Sequence, residues 1–237
     1  MFKFIGQRIL FLIPILLVVS FIVFAILRLS PIDPAFAYLT QSQIPPTQEA
    51  LELAREELGL NLPFWQQYGI WLKNILHLDF GISYVTKRPV LEDILYYLPT
   101  TLNLAFLSMI VVVIFGIVLG VLGAIKKDTI IDRGLGVFAF IAVSTPSFWL
   151  GFLLIYGFTL KLGILSPYED FSPTSYILPV ITLSLMSIAI NMRLMRVSFL
   201  EHQSQRSVLY AYARGLSQYT IHKHILKNSI LPIVTSL

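Results

Sequence analysis

Four apolar runs divide the chain, and the polar residues between them gather into one long segment and several shorter ones. The first run, Ile9 to Leu27, has 19 residues. As a helix it rises about 28 Å, close to the apolar thickness of a bilayer. It exceeds the roughly 7 to 15 apolar residues of a signal peptide, and no small-x-small pattern follows it, so a retained span is expected. Pro14 lies near its start and Arg28 at its end. The second run, Thr101 to Ala124, places Gly116, Gly120 and Gly123 at spacings of four and three, a stripe on which another helix can pack closely. The third, Leu135 to Leu160, carries STPSFWLG at Ser144 to Gly151. Pro146 removes a backbone donor there, and the hydroxyls of Ser144, Thr145 and Ser147 are suited to the freed carbonyls. A broken or kinked helix is predicted, either beside a polar path or for packing alone. The fourth run is Tyr176 to Met192, reached through an outer loop from Lys161 to Ser175.

The polar segments carry shorter helical patterns. Pro31, Pro34, Pro45 and Pro46 break the chain after the first span. Thr47 then precedes a helical pattern through Leu58, with Leu51, Ala54 and Leu58 on one face and Gly59 as its C-cap. A second, Pro63 to Leu76, gathers Trp65, Tyr68, Trp71, Leu72 and Ile75 largely on one side. It is either an interfacial helix on the outer surface or part of a small extracytoplasmic core. In DFGISYVTKRPVLEDILYYLP, Lys87, Arg88, Glu92 and Asp93 forbid a span, so a loop and a short approach helix are expected, ending where Pro99 and Thr100 open the second span. The domain division is then 1–29 for the first helix, 30–99 for the extracytoplasmic loop region and 100–237 for the membrane core.

Charge orients these pieces. Arg193 to Pro232 holds six Lys and Arg against the single acid Glu201. Placing it inside with Lys3, Arg8, Lys126, Lys127 and Arg133 gives 11 cations against three acids, with six cations and ten acids outside. Lys- and Arg-rich short loops stay on the cytoplasmic side, so the N-terminus is expected there. The stretch predicts two helical pieces, Arg193 to about Ala213 and Tyr219 to Ile230, parted near Gly215 to Ser217. Ala211, Ala213 and Gly215 are small enough for a partner to approach the backbone. Ile221, Ile225 and Leu226 give the second piece an apolar side, and Lys223 and Lys227 a cationic one. That pattern suits a helix docked on a soluble protein, and equally one resting on anionic lipid.

The composition, 56% hydrophobic and 13% charged, belongs in a membrane, and the net charge of +4 follows topology rather than nucleic acid. With no cysteine, disulfide and thiol chemistry are excluded. No Walker, zincin or EF-hand pattern occurs. His77, His202, His222 and His224 are split by topology, and His222 and His224, two apart, point to different sides of a helix. The span interiors carry almost no charge, which argues against a proton relay. The polar groups left for a path are Asn103, Ser108, Thr182, Ser184, Ser187 and Asn191, with Ser144, Thr145 and Ser147 at the break.

RILFLIPILLVVSFIVFAILRLSPIDPA, LPTTLNLA, STPSFWLG and ARGLSQYTIHKHILKNSILP, in this order, resemble landmarks of the permease subunits of bacterial peptide and nickel ABC importers. DPAFAYLTQSQIPPT and LHLDFGIS look most like the nickel permease branch. The resemblance implies an all-α polytopic membrane protein with a type I ABC importer transmembrane domain. The chain, with only five residues after Pro232, is expected to stop before spans five and six. It also implies that Leu209, Tyr210, Ala211, Gly215, Ile221, Lys223, Ile225, Lys227 and Pro232 form the segment that receives the ATPase. Leu209 and Tyr210 stand where other members often have Glu and Ala. The implied partners are a second similar permease, two ATP-binding subunits, an extracytoplasmic substrate-binding protein and membrane lipid, with no nucleic acid. ATP and Mg would sit on the partners, with no cofactor and no catalysis in this chain. The expected function is the path for nickel or a nickel chelate. A di- or oligopeptide permease is the rival within the family. An ion-coupled secondary transporter and a structural anchor are the rivals outside it.

Overall fold

The computed structural model describes residues 2–31, 33–83, 85–165 and 172–236. Among them the regular elements are helices, with one isolated bridge between Ile82 and Pro89. The chain divides into two compact units, Met1–Tyr97 and Leu98–Leu237.

The first unit begins with α1, Phe2–Arg28, which contains Pro14. Proline costs it one backbone bond, tolerable in an apolar helix. Helix α2, Pro34–Gln41, was not expected, since the prolines around it read as breaks. Asp33 caps it, Oδ1 accepting from Ala35 N at 2.9 Å, and Pro34 takes the first helical position, where no N–H is needed. Helix α3, Gln48–Glu57, is capped by Thr47 as its sequence predicts, and Gly59 follows with φ +63°. Arg55 on α3 reaches Asp33 at 2.5 Å and 3.0 Å, tying α3 to the start of α2 over a small core of Ala35, Leu39 and Ala54. That guanidinium, aided by the Ala35 amide, holds the Asp33 carboxyl below its usual range against the opposing effect of burial.

Helix α4, Phe64–Leu76, lays its aromatics on the end of α1. Trp65 stacks on Phe21 with ring centres 5.3 Å apart, and Phe64, Tyr68 and Trp71 meet Phe24 at 5.4 to 5.8 Å. Tyr68 donates its hydroxyl to the Leu17 carbonyl at 3.2 Å. The aromatic side is therefore a contact with the first span, while Trp65 stays 70% exposed.

The approach helix and the second span are one helix, α5, Val90–Ile125, with Pro99 inside it. The stop expected at Pro99 and Thr100 is absent. Proline removes only its own donor, and the apolar helical pattern on both sides carries the helix past that loss. Thirty-six residues rise about 54 Å, more than a bilayer core requires, so the helix can span one without burying its charged first turns at Glu92 and Asp93.

The second unit continues with α6, Ile130–Ser144, and α7, Ser147–Leu154, which runs on as a π-helical stretch, Ile155–Lys161. The two arms are bent by 100° at Thr145 and Pro146, the predicted break. Part of the expected outer loop, 166–171, lies outside the described residues. A short 3-10 turn, Pro173–Tyr176, leads into α8, Ile177–Gln203, and then come α9, Arg206–Ala213, α10, Gln218–Ser229, and α11, Leu231–Ser236. The stretch from Arg193 to Ala213 is thus not one helix. Its first part extends the fourth span through Gln203, and a turn at Ser204 and Gln205 precedes α9.

Helix α8 is the hub of this unit, packing against α6, α7, α10 and α11. The glycine stripe of α5 meets it as predicted. A Cβ on Gly116 would fall 2.9 Å from Asn191 Cβ, and one on Gly120 would fall 2.5 Å from Met195 Cβ and 2.7 Å from the Met192 carbonyl. Among the described residues, three helices are long and apolar enough to cross a membrane, or four if the bent pair is one span.

Candidate functional site

The C-terminal end of α8 and the three helices after it close around a shared apolar knot. Met195, Phe199, Val208, Ile221, Ile225 and Ile233 are all buried there, with Ala124 from α5 beside them. Helical spacing decides what each residue of α10 does. Ile221, Ile225 and Ser229 lie four apart on one face and are buried. Lys223 and Lys227, four apart on another, are exposed. Ile221 and Ile225, expected in the coupling segment, therefore hold α10 in place and leave its outward side to the lysines.

Helix α9 is divided in the same way. Val208 enters the knot, and Ala211 packs half-buried against it. Leu209 and Tyr210 point outward, 69% and 67% exposed. Between α9 and α10 the chain turns through Gly215 at φ +75°, and Ser217 Oγ accepts from Thr220 N at 3.3 Å to start α10. Nothing lies within 4 Å of where a Gly215 Cβ would be, so its glycine is required by the sign of φ and not by crowding. Of the small residues expected there, Ala211 packs on the knot, Ala213 is exposed, and Gly215 sets the turn with open space around it. Leu216 and Tyr219 around that turn are also open to solvent, Tyr219 by 78%. Pro232 is half-buried at the second position of α11. The result is a set of exposed apolar and aromatic side chains above the knot, with Lys223 and Lys227 exposed further along α10. Such a patch suits a protein partner.

The expected path residues fall into separate places. Ser144, Thr145 and Ser147 lie together at the break, where Thr145 Oγ1 donates to the Ile141 carbonyl at 2.8 Å. Ser144 and Ser147 are exposed, and so is Asn103 on α5. Ser187 is half-buried on α8. Asn191, one turn further, is only 4% exposed and donates Nδ2 to the Ser187 carbonyl at 2.9 Å. With Gly116 against its Cβ, Asn191 lies in the seam between α5 and α8. Ser108 on α5 is also buried, with no hydrogen-bond partner for its hydroxyl among the described residues.

Two links were missed by the sequence reading. Arg196 on α8 makes a two-pronged ion pair with Asp132 on α6, both bonds 2.7 Å, and Asp132 also accepts from Asp128 N at 3.0 Å. The pair borders a cleft of about 470 Å³ that Arg133 and Arg193 also line. The sequence showed these as loop charges, and nothing local pairs groups 64 residues apart. The second missed link joins Ser198 on α8 to Ser229 on α10.

Comparison with known proteins supplies the family. Residues 116–237 match the family described as binding-protein-dependent transport system inner membrane component, and residues 1–105 match its N-terminal companion. The chain is 36% identical over 231 residues to the metal-staphylopine import system permease protein of Staphylococcus aureus, covering 97% of this chain and 74% of that one. It is 35% identical over 238 residues to the glutathione transport system permease protein of Escherichia coli, covering 100% and 77%. Its membrane helices, the break in the third of them and these matches agree, and the chain belongs to the binding-protein-dependent inner membrane component family as a permease subunit of a type I ABC importer.

Proposed function

We propose that this permease subunit forms part of the path for nickel, as an ion or a small chelate, and that ATP hydrolysis on two associated ATPase subunits drives the import. Those subunits would hold ATP and Mg, and a second permease and an extracytoplasmic binding protein would complete the machine. The N-terminus is cytoplasmic in this reading, as the excess of Lys and Arg in the short loops favours. The observation that carries the coupling is the outward patch of Leu209, Tyr210, Leu216 and Tyr219 above the knot, with Lys223 and Lys227 exposed further along α10. Nucleotide-dependent closure of the ATPases moves this surface and biases two packings of the helices behind it. The metal-chelate relative supports the substrate class. The glutathione relative favours a second reading, a peptide substrate on the same scaffold.

Two substitutions test the dock. In Gly215→Val a β-branched residue is forced to positive φ, and Tyr219→Ala removes an exposed aromatic. Truncating an aromatic anchor weakens an interface by roughly tenfold or more, so each variant is expected to insert normally yet lose ATPase co-purification by about that factor. Wild-type assembly in both would remove the patch from the dock. Uptake of labelled Ni²⁺, bare and chelated, into proteoliposomes holding the whole transporter tests the substrate. Peptide competition favours the second reading, and uptake that persists without any ATPase subunit overturns the ATP-driven one.

A further inference from the structure

The last turn of a helix leaves carbonyls without a helical donor, and inside a protein each must find one elsewhere. The Ser229 carbonyl at the end of α10 is such a group, in a residue with no exposed surface. Its donor comes from another helix, Ser198 Oγ on α8, at 3.1 Å. In return the Ser229 hydroxyl is shared between the Ile225 carbonyl at 2.8 Å and the Ser198 carbonyl at 3.3 Å. The Ser198 carbonyl also accepts from His202 Nδ1 at 2.8 Å. Phe199 and Ile225, each next to or one turn from the clasp and fully buried, leave no water to replace these bonds. Two residues 31 apart thus fasten α8 to α10 across the turn that separates α8 from α9.

We infer that Ser198 and Ser229 are positioning residues that make α8 and α10 one rigid body. The inference rests on the ATP-driven reading above. Displacement of the coupling patch then reaches the membrane part of α8, where Ser187 and Asn191 stand, without being absorbed at Ser204 and Gln205. Neither serine touches substrate. Their role is to transmit.

None of the 237 residues is a cysteine, so an introduced pair meets no other thiol within this stretch. Ser198→Cys with Ser229→Cys, in the full-length permease assembled with its partners in proteoliposomes, is expected to cross-link on oxidation, read as lost maleimide labelling after denaturation. Binding-protein-dependent uptake of labelled Ni²⁺ or labelled glutathione, whichever the unsubstituted transporter carries, is expected to be the same oxidised and reduced. Uptake abolished by oxidation and restored by reductant overturns the inference, because the helices must then part during the cycle. Failure to cross-link overturns it too, since the two positions are then not held side by side. In Ser198→Ala the ATP hydrolysed per substrate imported is expected to rise at least about fivefold, with assembly and hydrolysis retained. Assembly, hydrolysis and uptake that fall in parallel would mark the serines as structural only. ATP-independent uptake by the unsubstituted transporter, measured first, overturns the reading beneath the inference and is seen before any serine is changed.

Discussion

Gly120→Ala is expected to damage the permease although it adds a single methyl group. The new Cβ would stand 2.5 Å from Met195 Cβ and 2.7 Å from the Met192 carbonyl, and the second contact is with backbone. A flexible side-chain tip can rotate away, but the carbonyl of a packed helix cannot, so α5 and α8 must separate. Overpacking of this kind costs about 1–3 kcal/mol and sometimes more. Because the seam holds Asn191 and Met195 together, the loss is expected in uptake as well as in thermal stability. Gly134→Ala is the control: nothing lies within 4 Å of its Cβ position, and replacing a helical glycine there gains roughly 0.5–1 kcal/mol. Melting of both variants in detergent checks the pair. Equal stability would mean that the stripe is not under compression.

Phe199→Ala carries the second large effect. Phe199 is fully buried where α8 meets α9 and α10, with the His222 ring of α10 5.9 Å from its ring centre. Truncating a buried phenylalanine costs about 3–5 kcal/mol, because the cavity refills only in part. The cavity would open under α9 and α10 and not within the membrane part of α8. ATPase binding is therefore expected to fail at temperatures where the spans remain helical. Co-purification and circular dichroism, followed together on heating, separate the two events. Loss of helix and loss of partner at one temperature would place Phe199 in a single cooperative core with the spans.

Much of this was legible in the residues, and what was not has a physical reason. Glycines at spacings of four and three announced the seam with α8, and Pro146 announced the break, because both effects are local to one helix. Gly215 marked a turn for the same reason. Helix α2 was hidden because Pro34 was read as a breaker, although an Asp followed by Pro is also how a helix begins. Pro99 misled in the same direction. The residue type alone does not say whether a missing donor falls at a first turn or inside a helix that can bear its loss. The contacts of Asp132 with Arg196, and of Ser198 with Ser229, join groups far apart in sequence, and only the fold brings them together. The candidate site divided on burial. Ile221 and Ile225, which the resemblance placed in the coupling segment, lie on the apolar side of α10 that the sequence pattern showed, and that side is covered.

The corner at Thr145 and Pro146 has a consequence for what surrounds it. The opening turn of α7 presents amide hydrogens to which the preceding helix offers no acceptors, and the closing turn of α6 presents oxygens that α7 does not reach. Lipid tails solvate neither. Thr145 Oγ1 serves the Ile141 oxygen, and the groups at the elbow that no hydroxyl reaches need water or peptide beside them wherever it sits in depth.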